Sequence, residues 1–596
     1  MDRFARLAPF LLALAVYLVA WRVQPLPPTG DEPHYLLTAW SLVHDGDVDL
    51  RDEYARSDGA SLGVAPHLEP HACDYRHDGR LIPLHGVGLA LLLAPVVALG
   101  GGLAAVRLEL IVLAALLAWE LHRLLRDLGL GGAREVWAAW VAVVFCLPLV
   151  VYAGQVYAEV PGALLVVLGL RRLILAPTVS RLWIAAAAAA LLPWLHVRFG
   201  LLALVLAAGV AWRGWRALGA RGLLPLTAFA LSLAALAGCF ALWYGSPLPS
   251  APFHVAGHFP EGPTWTLESL YRHAAGLFLS RAFGWLPFAP VHVLAVAGLV
   301  PLVRLHPRQA ALPLAGAGLY LLLASARMAS QGAAFPGRLV VCLVPLAAVP
   351  LLVAMTRGPI ARLAFVPLLA LSLAITVAAV ASGARLYTRG AATTEVPIAA
   401  SLQGLWPAIP LLDPAAALHC QAARLRREVG AVVPDPRKAG PAVRAAEPER
   451  PGLLAFGPLV VLKKGAYAAR FELAATAESA ERPVAVVAVV DGSGAVVAQR
   501  LVRAADLPAD GWGVATLPFF AAGELLGPRV VYLGRGEVWA RGIHFEPRGG
   551  EPHERFPGWR RSLAWLVALA VCGVGLAWRS APPAAPPSDQ ESPSPR

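Results

Sequence analysis

The sequence predicts a polytopic α-helical membrane protein of about twelve spans that carries a β-sandwich on its extracytoplasmic side. Three observations predict it. The 596 residues are 58% hydrophobic and only 15% charged, with a mean hydropathy of +0.61, which excludes an ordinary soluble enzyme and a disordered chain. The apolar residues come in blocks of about 15 to 22 separated by short Arg-rich turns, which is the length that crosses a hydrocarbon core. From about residue 455 the pattern changes to alternating β-branched and polar residues with a DGSG hairpin signal at 491–494.

Charge supports the same class. Fifty Lys and Arg against 38 Asp and Glu give a formal charge of +12. In a soluble chain that excess would suggest a polynucleotide partner; here the arginines sit at span ends, where they face a cytoplasm and anionic headgroups. Membrane lipids are the expected surroundings and nucleic acid is not expected as a partner. Six cysteines do not make a disulfide scaffold in a chain of this length. Cys146, Cys239, Cys342 and Cys572 lie in or beside apolar blocks, whereas Cys73 and Cys420 fall in outer loops and leave one disulfide open.

Taken in order, the first apolar run, 7–23, is closed by Trp21 and Arg22 like an interfacial anchor and lacks a small-residue cleavage site, so it reads as a first span with its amino terminus inside. Further blocks follow at 103–122, 135–153, 160–176, 181–194, 198–212, 222–243, 284–303, 309–325, 337–355, 360–380 and 562–578. The block at 84–100 begins at Pro83 and carries Pro95 and several glycines. Were it a span, the basic clusters 122–134, 171–172, 213–221 and 304–308 would all face outward. Read as lateral or re-entrant, it leaves every one of them in the cytoplasm. The expected organisation is a transmembrane catalytic domain over 1–380 with a large first outer loop at 24–102, a mixed extracytoplasmic linker at 381–450, a sandwich at 451–550, a last span at 562–578 and a disordered cytoplasmic tail at 579–596. The sandwich reads either as a structural cap or as a carbohydrate-binding module with Tyr467, Trp512, Tyr532 and Trp539 as stacking faces.

Immediately after the first span comes GDEPHYLLTAW. Asp31 and Glu32, between Gly30 and Pro33 at a membrane boundary, form a carboxylate pair that a fixed turn would hold in place. A carboxylate there suits a general base that accepts a hydroxyl proton, and partial burial is expected to raise its pKa toward a useful value. Equally, Asp before a helix is a favourable N-cap. His34 and Tyr35 adjoin the pair.

This arrangement resembles the membrane glycosyltransferases of the GT-C fold that use polyprenyl-phosphate sugars, the branch that includes the aminoarabinose transferase of lipid A and the protein mannosyltransferases. The resemblance rests on the acidic motif after the first span, on DGDVDLRDEY at 45–54, and on LHGVGLALLLAP at 84–95, which would then be a lateral helix beside a second one at 35–43. It implies Asp31 as the base that activates the acceptor, with Glu32 beside it. It also implies a second carboxylate, Glu159 in YAGQVYAEVPGALL, in the outer turn after the third span. The arginine-derived topology places Glu159 on the same face as Asp31.

Arginines that break the inside-positive pattern complete the expected site. Arg107, Arg198, Arg281, Arg327 and Arg338, with His196, fall near outer span ends, where a guanidinium fork could hold the donor's phosphate and the charge that grows on it as the glycosidic bond breaks. Arg338, in AAFPGRLVVCLVP, resembles the family's glycine–arginine signature without the usual aromatic after it; Arg198 and His196 come second. Snorkelling to lipid phosphates is the alternative for each, and Arg107 could instead pair with Glu109. The loop APHLEPHACDYRHDGR holds His67, His71, Cys73 and His77 at spacings that do not match a zinc motif, so no metal cofactor is expected. Together with His34, Tyr35, His85 and His258, His71 is expected to line the acceptor cavity. The function implied is an inverting transfer from a polyprenyl-phosphate sugar to a hydroxyl of a glycan, lipid or protein at the outer face of a bacterial cytoplasmic membrane. The alternative is a flippase for lipid-linked saccharides, which would favour ionisable residues at mid-membrane and two matched halves.

Overall fold

In the computed structural model, residues 3–548 are described apart from 24–26, 66–67, 69, 253–266, 280–283, 328–333, 388–417 and short intervals between 423 and 524. The proposed last span at 562–578, the tail, His67, His258 and Arg281 lie outside the described residues, as does the side chain of Arg327.

Helices form where the apolar blocks were read. They are α1 (Arg3–Val23), α2 (Glu32–His44), α3 (Arg51–Arg56), α4 (Gly88–Ala98), α5 (Leu103–Leu128), α6 (Ala133–Val144), α7 (Leu149–Tyr152), α8 (Glu159–Ile174), α9 (Val179–Leu195), α10 (Gly200–Leu218), α11 (Leu226–Tyr244), α12 (Leu267–Leu279), α13 (Val293–Leu305), α14 (Pro307–Arg327), α15 (Val344–Arg357) and α16 (Pro359–Tyr387). Four stretches among the described residues are long and apolar enough to cross a membrane, namely Arg6–Val23, Val197–Leu223, Leu226–Tyr244 and Pro359–Ala381; Val179–Leu195, Pro290–Leu305 and Val344–Arg357 are shorter apolar helices. Pro148 splits the block read at 135–153 into α6 and α7. At about 1.5 Å per residue, the 11-residue α4 reaches only about 16 Å, half of a hydrocarbon core. It packs against α2, and both belong to the first loop, as the lateral reading requires.

The polar ends of the bundle separate into two sets. At the C-terminal ends of α5 and α8, Arg171 pairs with Glu120 (3.0 Å) and Asp127 (2.6 Å), and Arg123 and Arg172 join Glu120. At the opposite end of α8 stands Glu159, the first residue of the helix. The first loop closes over this end. Its two-stranded ribbon, β1 (Ala72–Cys73) with β2 (Ile82–Pro83), docks on the C-terminus of α11, where Tyr244 Oη donates to the Pro83 carbonyl and Arg76 donates to the carbonyls of Ala241 and Leu242.

The C-terminal part is two antiparallel sheets built from alternating residues, with Phe471, Val487, Val530 and Phe545 among the side chains buried between them. The strands are β3 (Leu418–Gln421), β4 (Ala431–Pro434), β5 (Pro441–Ala446), β6 (Gly452–Phe456), β7 (Val460–Val461), β8 (Gly465–Thr476), β9 (Pro483–Asp491), β10 (Val496–Arg503), β11 (Gly513–Ala521), β12 (Leu525–Tyr532) and β13 (Glu537–Pro547). One sheet runs β10-β9-β12-β6 and the other β11-β8-β13-β5-β4. The sandwich therefore begins earlier than its expected start at 451. Strands β3 and β5 pair with β13, and β4 with β5, because Leu418, Ala442, Val443 and Ala445 bury apolar side chains in a stretch whose Pro and charge content reads as linker. Two of the four expected stacking aromatics are core instead. Tyr467 stacks on Phe519, and Tyr532 is fully buried with its hydroxyl on the Gly536 carbonyl. Trp539 and Trp512 lie close to the Arg444 and Arg541 guanidiniums. Cys73 and Cys420 are both free thiols, so the disulfide left open between them is not formed.

Candidate active site

Asp31 occupies the N-cap position of α2, yet its side chain makes no capping hydrogen bond. Its Oδ2 accepts instead from Nη2 of Arg338, 307 residues away. The same guanidinium donates Nε to Glu159 Oε1 at 2.8 Å, and Glu159 Oε1 also accepts from Arg198 Nη2 at 2.5 Å. Two carboxylates and two guanidiniums drawn from four separate segments thus alternate in one buried chain. Glu159 is fully buried and Arg338 is 6% exposed, while Asp31 keeps about a fifth of its side chain open. Such a set persists away from water only because each charge meets an opposite one.

The backbone explains why these residues meet. Gly337 has a φ of 81°, and a Cβ there would lie 3.1 Å from the Pro148 ring. Only glycine turns the chain at that point without strain. The turn around Arg338 is anchored on both sides, by Tyr152 Oη on the Phe335 carbonyl (2.6 Å) and Tyr320 Oη on the Leu339 carbonyl (2.8 Å). The face of Tyr157 lies 4.1 Å beneath the Arg338 guanidinium carbon, a cation–π contact. Tyr157 and Tyr152 were not singled out from sequence. The pattern that could have found them is their position in YAGQVYAE, five residues apart on the turn that leads to Glu159.

Glu32 differs from its expected part in a catalytic pair. It is 1% exposed and both carboxylate oxygens are spent on backbone, Oε2 accepting from Thr29 N (2.9 Å) and Oε1 from Val156 N (2.8 Å). It ties the first loop to the turn before Glu159, which makes it a positioning residue. Burial pushes its carboxyl above the usual range against the Arg107 charge and these two hydrogen bonds. Arg107 acts on Glu32 rather than Glu109, and the Arg107–Glu109 pair expected as an alternative does not form. Arg107 lines a cavity with Glu32, Tyr17, Trp21, Gln155 and Val380, separate from the Arg338 contacts. His196 Nδ1 accepts from Arg198 N at 3.2 Å, so this histidine orients Arg198.

The expected cavity-lining histidines gather on the open side of Asp31. His85 Nε2 lies 3.7 Å from Asp31 Oδ1, His71 stacks on His34 at 3.9 Å, and Tyr35 packs 5.0 Å from His85. The Tyr54 hydroxyl is hydrogen-bonded to His34 Nδ1 at 2.8 Å and accepts from His71 N at 3.2 Å. His85 is held by the HGVG segment, where a Cβ on Gly88 would fall 2.4 Å from the backbone of Trp194, so α4 can approach α9 only without a side chain there. Asp31, His71 and His85 bring three ligand atoms within 4.8 Å of one another, a set able to take a divalent metal.

Electrostatics separates the carboxylates. Burial pushes the Asp31 carboxyl up, but the neighbouring Arg338, His85 and His71 overcome it and hold the group well below the usual carboxylate range, the reverse of the rise expected from burial alone. Burial lowers His85 against the opposing pull of the Asp31 charge. Asp31 is an ionised, partly open carboxylate against a guanidinium; it can accept a proton once that guanidinium is given another anion.

No family model matches the chain, and no curated protein does. Among solved structures it is similar to ArnT from Cupriavidus metallidurans in the apo state, at 16% identity and a TM-score of 0.40 over 66% of this chain and 68% of that one. It is similar also to the same ArnT bound to undecaprenyl phosphate, at 14% identity and a TM-score of 0.38 over 68% and 75%. The C-terminal CBM6 of LamC, a marine laminarinase from Zobellia galactanivorans, matches 22% of this chain and 98% of its own length at 12% identity and a TM-score of 0.18.

Proposed function

We propose that the protein is an inverting glycosyltransferase that moves a sugar from a polyprenyl-phosphate donor to a hydroxyl of a cell-envelope glycan, lipid or protein on the outer face of a bacterial cytoplasmic membrane. The observation that carries this reading is the single guanidinium of Arg338 shared between Asp31 and Glu159 at the bundle end that the first loop covers.

Arg338 has Nε on Glu159 and Nη2 on Asp31, and no described residue accepts from its Nη1. A donor phosphate arriving at this group would bind Nη1 and compete with Asp31 for Nη2, with Arg198 as a second cation beside Glu159. As phosphate takes up the guanidinium, Asp31 loses the charge that depresses its basicity and becomes a better proton acceptor. The acceptor hydroxyl, deprotonated by Asp31 as it attacks, forms the new glycosidic bond at the anomeric carbon while the bond to phosphate breaks on the opposite side. The electron pair leaves with the lipid phosphate, stabilised by Arg338 and Arg198. One base and direct displacement give inversion. Guanidiniums rather than a metal carry the phosphate charge in this scheme, and the sandwich serves as a cap or a glycan-binding module beside the acceptor.

The test is to incubate the purified protein with a panel of polyprenyl-phosphate sugars and envelope-derived acceptors, and to determine the anomeric configuration of the product. Transfer with inversion is expected. Donor turnover with retained configuration, or no transfer from any lipid-phosphate sugar, would contradict the reading.

A further inference from the structure

The segment DGDVDLRDEY holds five carboxylates in nine residues, and the structure sorts them into two groups. Asp47 and Asp49 are spent on the loop itself. Asp47 Oδ1 accepts from Asp49 N (2.9 Å) and Ser41 Oγ (3.3 Å), and Asp49 Oδ1 accepts from Leu81 N (2.8 Å) and Arg51 N (3.2 Å). The other three converge. Asp45, at the C-cap of α2, and Asp52 and Glu53, on α3, bring one oxygen each within 4.8 Å of one another.

Glu53 is the informative member. It is fully buried (0% exposed), and neither of its carboxylate oxygens has a hydrogen-bond partner among the described residues. Ser41, the hydroxyl on the facing turn of α2, donates to Asp47 instead. Asp52 gives one oxygen to Arg56, and Asp45 opens to solvent. A buried carboxylate without a donor, aimed at two further carboxylates, is costly unless something positive sits between them. A proton shared with Asp45 would remove one charge of three and leave most of the oxygens unsatisfied. A hard divalent cation would contact all three groups and complete its shell with water on the exposed Asp45 side.

We propose that Asp45, Asp52 and Glu53 form a binding site for a hard divalent cation of the calcium type, which clamps the end of α2 to α3. The consequence reaches the active site without touching it. Helix α2 begins at Asp31, and α3 carries Tyr54, whose hydroxyl links His34 and His71 on the open side of Asp31. The clamp therefore fixes the spacing between the two helices that hold the acceptor side of the site. It stands whether or not the transfer reading holds.

The experiment uses the full-length protein in detergent, stripped with EDTA, titrated with CaCl2 and in parallel with MgCl2, and followed by thermal unfolding and isothermal calorimetry. One Ca2+ per chain and a saturable rise in melting temperature are expected. Asp45→Asn, at an exposed position that leaves folding intact, and Glu53→Gln should each weaken binding at least tenfold and abolish the rise. Asp31→Asn, which alters the separate Asp31–His71–His85 group, should leave the titration unchanged. The proposal is overturned if neither cation shifts the wild type up to about 10 mM, beyond the weakest affinities typical of extracellular calcium modules. It is equally overturned if Asp45→Asn and Glu53→Gln bind as the wild type does, or if Asp31→Asn is the variant that loses the ion.

Discussion

Asp31 could have been an ordinary helix cap, and its side chain decides otherwise by leaving α2 unbonded and reaching Arg338. If it is the base, Asp31→Asn should lower kcat by about 10²- to 10⁴-fold, the usual worth of a positioned proton acceptor. Folding should suffer less than the roughly 3–5 kcal/mol of a broken buried pair, because Arg338 keeps Glu159 and Asp31 is partly open to water. The depressed Asp31 pKa gives a pH signature. A carboxylate held below its unfolded value contributes stability that is fully present above that value and is lost as pH falls through the folded one. Melting temperature should therefore decline below about pH 4, the unperturbed value of an Asp, and Asp31→Asn should flatten that decline. An unchanged acid limb in the variant would show that Arg338 does not hold the group ionised.

At the scale of elements, the site depends on turns that make no contact with substrate. Gly337→Ala would force a side chain into left-handed backbone against Pro148, a cost of about 1–2 kcal/mol, and would displace Arg338. The expected result is a several-fold rise in donor KM measured in a transfer assay, with the acceptor KM little changed. Glu32→Gln should act differently: one of its oxygens becomes an NH2 facing a backbone N–H, so the tie between Thr29 and Val156 is broken and kcat and thermal stability fall together. The elements were legible in sequence where chemistry is local. The apolar blocks gave the helices, and Pro95 with the glycines at 100–102 gave a short α4. Tyr157 under Arg338 and the fully engaged oxygens of Glu32 were not legible, because both depend on contacts across more than 100 residues. Strands β3 to β5 were hidden for another reason: they are short, Ala- and Pro-rich, and become strands by pairing with β13.

For the whole molecule, two clusters of ionic contacts mark the two ends of the bundle: Arg338 with Asp31, Glu159 and Arg198 at one, and Arg171 with Glu120 and Asp127 at the other. The positive-inside pattern expects these groups on opposite faces, and a span count off by one would separate Asp31 from Glu159 by about 30 Å. In a cysteine-free background, Ala133→Cys at the start of α6 should be labelled from the cytoplasm and Asp78→Cys in the first loop from outside; labelling of both from one side would refute the arrangement. The central claim is that donor phosphate and Asp31 compete for one guanidinium. Its most direct measurement is the affinity of polyprenyl phosphate for wild type, Asp31→Asn and Arg338→Ala, with transfer measured on the same preparations. Asp31→Asn should bind the lipid phosphate at least as tightly as wild type while losing transfer, and Arg338→Ala should lose binding. Full turnover in Asp31→Asn, or unchanged lipid-phosphate affinity in Arg338→Ala, would contradict it.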